Sequence, residues 1–181
     1  MRRAGPTRYE RIRYPRPLSG NRGLAYTDPF GLTADTIKVQ WHKFASGFHT
    51  SIKITPDDQK RWANDPRFRS GSVTLGAAGM VCLGQGVCLV SNLNRPTDVA
   101  PQASQVVNIG DRDENQVIEQ LLRADAKYGD NLQYNLLPSS TGQGYNSNSY
   151  TAGILLQAGI QPPQLPVWVP GFDRPIPLPF P

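Results

Sequence analysis

Gly144-Tyr145-Asn146-Ser147-Asn148-Ser149-Tyr150, followed by an apolar run through Ile160, reads as a tight polar turn feeding straight into a helix. Such a turn presents a hydroxyl at a helix N-terminus, where unpaired backbone N–H groups and the helix dipole favour developing negative charge. The spacing predicts a closing helix over about Ser147 to Ala158, with Tyr150, Ile154, Leu155 and Ala158 inward and Gly159 as its stop. Ser147 admits two roles there. It is a nucleophile if a base reaches it, or an N-cap, a position for which serine is among the best residues. Asn146, Asn148 and Ser149 beside it are candidate supporting or oxyanion-stabilising groups, and Asn148 and Ser149 are also plausible caps.

The base is sought upstream. In Gly47–Ile54, Phe48, Thr50, Ile52 and Ile54 alternate with His49, Ser51 and Lys53, the period of a half-buried strand. His49 falls on the polar face, where it is either an ordinary surface histidine or an acid/base group. Ile37, Val39 and Trp41 alternate likewise with Lys38, Gln40 and His42, and His42 is read as a plain strand residue. A base usually needs an orienting partner, and Thr74, Asn92, Asn94 and Asp98 are all open candidates.

The remaining elements follow from local signals. Thr55-Pro56-Asp57-Asp58 predicts a helix start with Thr55 as cap, and Ser72–Gly76 a strand. Met80–Leu83 and Val87–Ser91 predict a hairpin about Gly84-Gln85-Gly86. Asn92–Asp98 reads as a polar loop, and Val106–Ile109 as a short strand. Asp113-Glu114-Asn115-Gln116 opens the clearest helix, with Val117, Ile118, Leu121, Leu122 and Ala124 on one face and Gly129 at its end. Gln133–Leu137 is the last predicted strand, before a flexible loop through Gly144. The fold class expected is α+β: a central, mostly antiparallel sheet with two or three helices.

Three regions differ in composition. Residues 1–32 hold seven Arg and two acidic residues and read as an extended basic arm. Residues 33–160 form the domain, and residues 33–181 carry twelve basic and twelve acidic residues. A neutral core argues against nucleic-acid binding by the domain itself. Residues 161–181 hold eight Pro among large apolar residues and are expected to pack on the domain as an extended tail. No window is long and apolar enough for a membrane span, and the Arg-rich start lacks the apolar core of a secretion signal. Cys82 and Cys88 read best as two small buried residues in adjacent strands; a disulfide requires in-register pairing and an oxidising compartment. No cofactor is expected. Neither is a metal, since His42 and His49 lack the usual metal-binding spacing with the Cys pair.

Two motifs carry resemblances. Tyr26-Thr27-Asp28-Pro29-Phe30-Gly31-Leu32 resembles the Asp-Pro-x-Gly-Leu motif that closes the core of Rhs-type polymorphic toxins, which precedes a variable toxin domain. Asn146–Tyr150, with Phe48-His49-Thr50-Ser51-Ile52 far upstream, resembles the permuted papain-like fold of the NlpC-type hydrolases and the lecithin:retinol acyltransferase group. Those families carry Cys where this chain has Ser147. The resemblances imply an antibacterial toxin delivered by a non-Sec route to the periplasm or membrane. They imply hydrolysis or acyl transfer on a phospholipid ester or peptidoglycan amide through His49 and Ser147, and a cognate immunity protein as partner. The domain is expected to be monomeric in isolation. The alternatives are a papain-like binding module without catalysis and a nuclease toxin using the basic arm.

Overall fold

The structure, a computed structural model, describes residues 36–44, 47–84, 86–98, 100–138 and 143–177. The basic arm, the Asp-Pro-Phe-Gly-Leu motif, Gln85, the loop residues 139–142 and the last four residues lie outside the described set. Among the described residues the protein is α+β, with one six-stranded antiparallel sheet and three α-helices. The strands are β1 (Ile37–Phe44), β2 (Gly47–Ile54), β3 (Val73–Cys82), β4 (Gly86–Leu93), β5 (Ala103–Val106) and β6 (Leu132–Gln133). The helices are α1 (Gln59–Trp62), α2 (Glu114–Lys127) and α3 (Ser147–Gln157). The sheet order is β5-β1-β2-β3-β4-β6.

Two features of this topology build the site. First, β4 lies near one edge and β5 at the other, so the chain between them must cross the sheet. The crossing contains a 3-10 turn, Pro96–Asp98, that packs on β1. Second, β2 and β3 pair over only three residues each, Ile52–Ile54 with Val73–Leu75. Beyond that point no ladder joins them, and the start of α3 meets β2 there.

The core joins Ile37, Val39, Ile52, Ile54 and Leu75 of the sheet to Val117, Ile118, Leu121 and Leu122 of α2 and Tyr150, Ile154 and Leu155 of α3. α2 follows its sequence signal: Asp113 caps it by accepting from the Gln116 amide at 2.8 Å, and the predicted apolar face is the buried one. α3 is buried on all sides from Ser147 to Leu155, so it runs through the interior. Beyond it, Ile176 is buried and donates its amide to Ser149 O at 3.1 Å.

Several boundaries differ from the sequence reading. The first helix begins at Gln59 with Asp58 as its cap, because the Thr55 amide is held by Thr36 O at the end of the β1–β2 ladder. The strand predicted at Ser72–Gly76 and the hairpin arm at Met80–Leu83 are one ten-residue strand, β3. β5 falls at Ala103–Val106, three residues before its expected start, and β6 shrinks to two residues. The preferred reading of the cysteines is overturned. Met80 is the partner directly opposite Cys88, so the two cysteines are diagonal neighbours, and their sulfurs are bonded at 2.23 Å.

Candidate functional site

Helix α3 carries the first element of the site. Gly144, at φ +84°, turns the chain into it, and a Cβ there would lie 2.9 Å from Gln133 O. The N-cap is Asn146, whose side-chain oxygen accepts from the Asn148 and Ser149 amides at 3.0 Å each. Ser147 is therefore the first helical residue and not the cap. Among the described residues its amide meets no acceptor, and its hydroxyl turns outward to His49. Ser147 Oγ lies 2.7 Å from His49 Nδ1 across 98 residues of sequence.

The residues around Ser147 fasten the helix start. Asn148 uses its whole amide: Oδ1 accepts from the Thr50 amide (2.7 Å) and hydroxyl (2.9 Å), while Nδ2 donates to Phe48 O (2.8 Å) and Pro170 O (2.9 Å). Asn146 Nδ2 donates to Leu136 O and Pro170 O, and the Ser149 hydroxyl to Gly171 O. These three side chains, expected to support the site or stabilise an oxyanion, are committed to clamping α3 against β2 and the 170–171 turn. The free N–H at the helix start belongs to Ser147 itself.

Asn148→Asp is expected to cost about 3–5 kcal/mol of stability in denaturant unfolding, because a buried, unpaired charge would face two carbonyl oxygens. Asn148→Ala, which removes four hydrogen bonds without adding charge, is expected to cost less.

His49 lies on a central strand and is buried, contrary to the solvent-facing position that strand alternation implies. The crossing turn covers that face and brings Asp98 beneath it. His49 Nε2 stands 3.2 Å from Asp98 Oδ1, and the Asp98 side chain is fully shielded from solvent. The approach is an ion-pair distance off the N–H axis, so the contact is not an aligned hydrogen bond. If Nδ1 accepts from Ser147, the ring proton sits on Nε2, the nitrogen facing the carboxylate. Asp98 is thus the one of the four open candidates that reaches His49. Asn94 instead accepts from the Thr74 amide and donates to Arg67 O.

A second layer positions Asp98. Gln40, buried under the crossing turn, donates through Nε2 to Asp98 O and to Ser51 Oγ. Gly76 supplies the space: a Cβ there would lie 2.7 Å from Asp98 Oδ2. Sequence reasoning missed both. The signals were present, since Gln40, His49 and Ser51 are uncharged polar residues on a supposed solvent face, and a glycine inside a strand often marks a close approach.

His42 sits directly opposite His49 in the β1–β2 ladder, with ring centroids 4.8 Å apart. Burial first, then the neighbouring His49, hold its pKa below the usual histidine value, so it stays neutral at physiological pH. Ligand atoms of His42, His49 and Asp98 lie within 4.8 Å of one another. One zinc ion with bonds near 2.1 Å draws its ligand atoms to within about 4.2 Å, so the three side chains would have to close up to hold it.

The Ser147–His49 pair opens onto a cleft of about 230 Å³ where β2 and β3 part. Its walls include Phe44, Phe48, Val87, Leu136 and Leu137, and its one cationic lining residue is the half-buried Arg95. No protein family, curated protein or solved structure matches the chain.

Proposed function

We propose that this chain is an acyl-transfer hydrolase of the toxin type, in which Ser147 is the nucleophile, His49 the base and Asp98 the group that orients the base. The observation that carries the reading is the 2.7 Å contact between Ser147 Oγ and His49 Nδ1, with Asp98 at the other ring nitrogen. Ser147 Oγ adds to a carbonyl carbon as its proton passes to His49 Nδ1. The Ser147 amide at the helix start donates to the resulting oxyanion. The leaving alcohol or amine takes the proton from His49, and water, activated by the same nitrogen, releases the acyl group.

The substrate classes are a phospholipid ester and a peptidoglycan amide. The apolar cleft walls and the lone arginine favour the anionic lipid ester. The pairing of a strand histidine with a nucleophile at a helix start supports the permuted papain-like assignment, with Ser147 in the cysteine's place. The Cys82–Cys88 bond supports work outside the reducing cytosol. An immunity protein would have to cover the same cleft, and delivery as an Rhs-type toxin rests on Asp-Pro-Phe-Gly-Leu.

The test is growth of a bacterial host expressing the chain in cytosolic and periplasmic forms, beside hydrolysis of phospholipid and of cell-wall peptides by purified protein. Killing from the periplasm, with fatty-acid release, is expected. Cleavage of the wall peptides alone reassigns the substrate. The His42, His49 and Asp98 cluster favours one second reading, a metal-assisted hydrolase. Chelation is expected to leave the rate unchanged; loss on chelation with recovery on added zinc instead establishes the metal reading.

A further inference from the structure

Residues 70–94 contain no Asp, Glu, Lys, Arg or His, and they form the β3–β4 hairpin. Its outer half has no neighbour among the described strands. β2 leaves β3 beyond Leu75, and β6 pairs with β4 only at Cys88 and Leu89. From Met80 to Gly86 the hairpin is a two-stranded ribbon stapled by Cys82–Cys88, and at its base the Tyr134 amide donates to Val87 O at 2.9 Å. An isolated ribbon is marginal without further support, and the staple supplies it. At its end Val81 is 87% and Leu83 100% exposed, with Met80 at 56% and Val87 at 43%. Exposed sheet ends ordinarily carry charge, which prevents pairing with other chains, and this one carries none.

Resting on the lipid-ester reading of the cleft, we propose that the β3–β4 ribbon is a membrane-docking finger that seats the Ser147–His49 site on a lipid bilayer. The apolar surface is continuous with the cleft: Val87 belongs to both, and Phe44, Leu136 and Leu137 are exposed at the cleft wall. Trp168, 63% exposed, lies beside Gly47 of that wall and has the aromatic character favoured at a headgroup boundary. The first charged residue after the uncharged run is Arg95, inside the cleft, and no carboxylate pairs with it among the described residues. A phosphate headgroup complements it, while the apolar ribbon complements acyl chains.

Three residues of strand from Met80 to Leu83 reach about 10 Å, the depth to which interfacial segments enter a bilayer. A protein partner fits less well. Interface anchors are typically Trp, Tyr or Arg filling pockets, and the exposed residues here are the aliphatic Val81 and Leu83.

The experiment is co-flotation of the full chain bearing Ser147→Ala with vesicles of phosphatidylethanolamine and phosphatidylglycerol. It is run at about 0.5 M salt, where attraction between the basic arm and anionic lipid is screened. The protein is expected to float with the vesicles, and adding Val81→Asp with Leu83→Asp is expected to lower the bound fraction by about tenfold or more. In the Ser147 background the same pair is expected to leave the rate on a soluble short-chain ester and the melting temperature unchanged. Equal flotation of both forms, or flotation of neither, overturns the finger. So does self-association in sedimentation that the two aspartates abolish while vesicles are ignored, which makes the ribbon a contact between copies. Flotation does not depend on Ser147, so intact docking without hydrolysis overturns only the catalytic reading.

Discussion

Ser147→Ala is expected to lower kcat/KM by about 10³-fold or more and to abolish killing, while the protein stays folded. The expectation of intact folding comes from the cap. Had Ser147 been the N-cap, alanine would cost about 1 kcal/mol of helix stability and a loss of activity would be ambiguous. Asn146 holds the cap instead, and Asn148 and Ser149 hold the helix to its surroundings. The variant loses one hydrogen bond to His49, worth about 1 kcal/mol. Unfolding in denaturant and the hydrolysis rate thus separate the two roles of the same side chain. Ser147→Cys adds a positive readout: a thiol at a helix start beside an imidazole reacts readily with iodoacetamide. A binding module without catalysis predicts the opposite pattern, with Ser147→Ala killing as well as the parent.

The two partners 98 residues apart were legible because each sits in a strong local pattern: a polar turn before an apolar helix, and a histidine in an alternating strand. α2 was legible to its cap, because Asp113 and the spacing of Val117, Ile118, Leu121 and Leu122 are purely local information. Asp98 was not legible. It stood among four candidates, and what selects it is the crossing from β4 to β5, a property of strand order. Strand alternation also misplaced His49. Period-2 reading assumes that the second face meets water, and here the crossing turn covers it with Asp98 and buries Gln40 and Ser51 beneath. The cysteines failed for a related reason: their pairing depends on register two residues along the ladder, which the sequence leaves open.

Asp98→Asn is expected to lower kcat by about 10²–10⁴-fold with KM nearly unchanged, because the carboxylate faces His49 and does not line the cleft. In the proposed mechanism the carboxylate beside Nε2 holds the ring proton there and leaves the Nδ1 lone pair for Ser147. An amide has no net charge to hold that tautomer, and it stabilises the imidazolium formed during attack less well. The change is nearly isosteric in a site where Gly76 leaves no spare volume, so packing is expected to survive. A purely structural role predicts a fall in melting temperature with little change in the ring. The orienting role predicts a visible change in the ring: ¹⁵N shifts of His49 report one tautomer in the parent and a mixture in the variant. Gln40→Ala, which frees the Asp98 backbone carbonyl from its amide donor, is expected to move the same signals in the same direction by a smaller amount. If Asp98→Asn retains full kcat and a single tautomer, the carboxylate is a structural buried charge and His49 acts without an orienting partner.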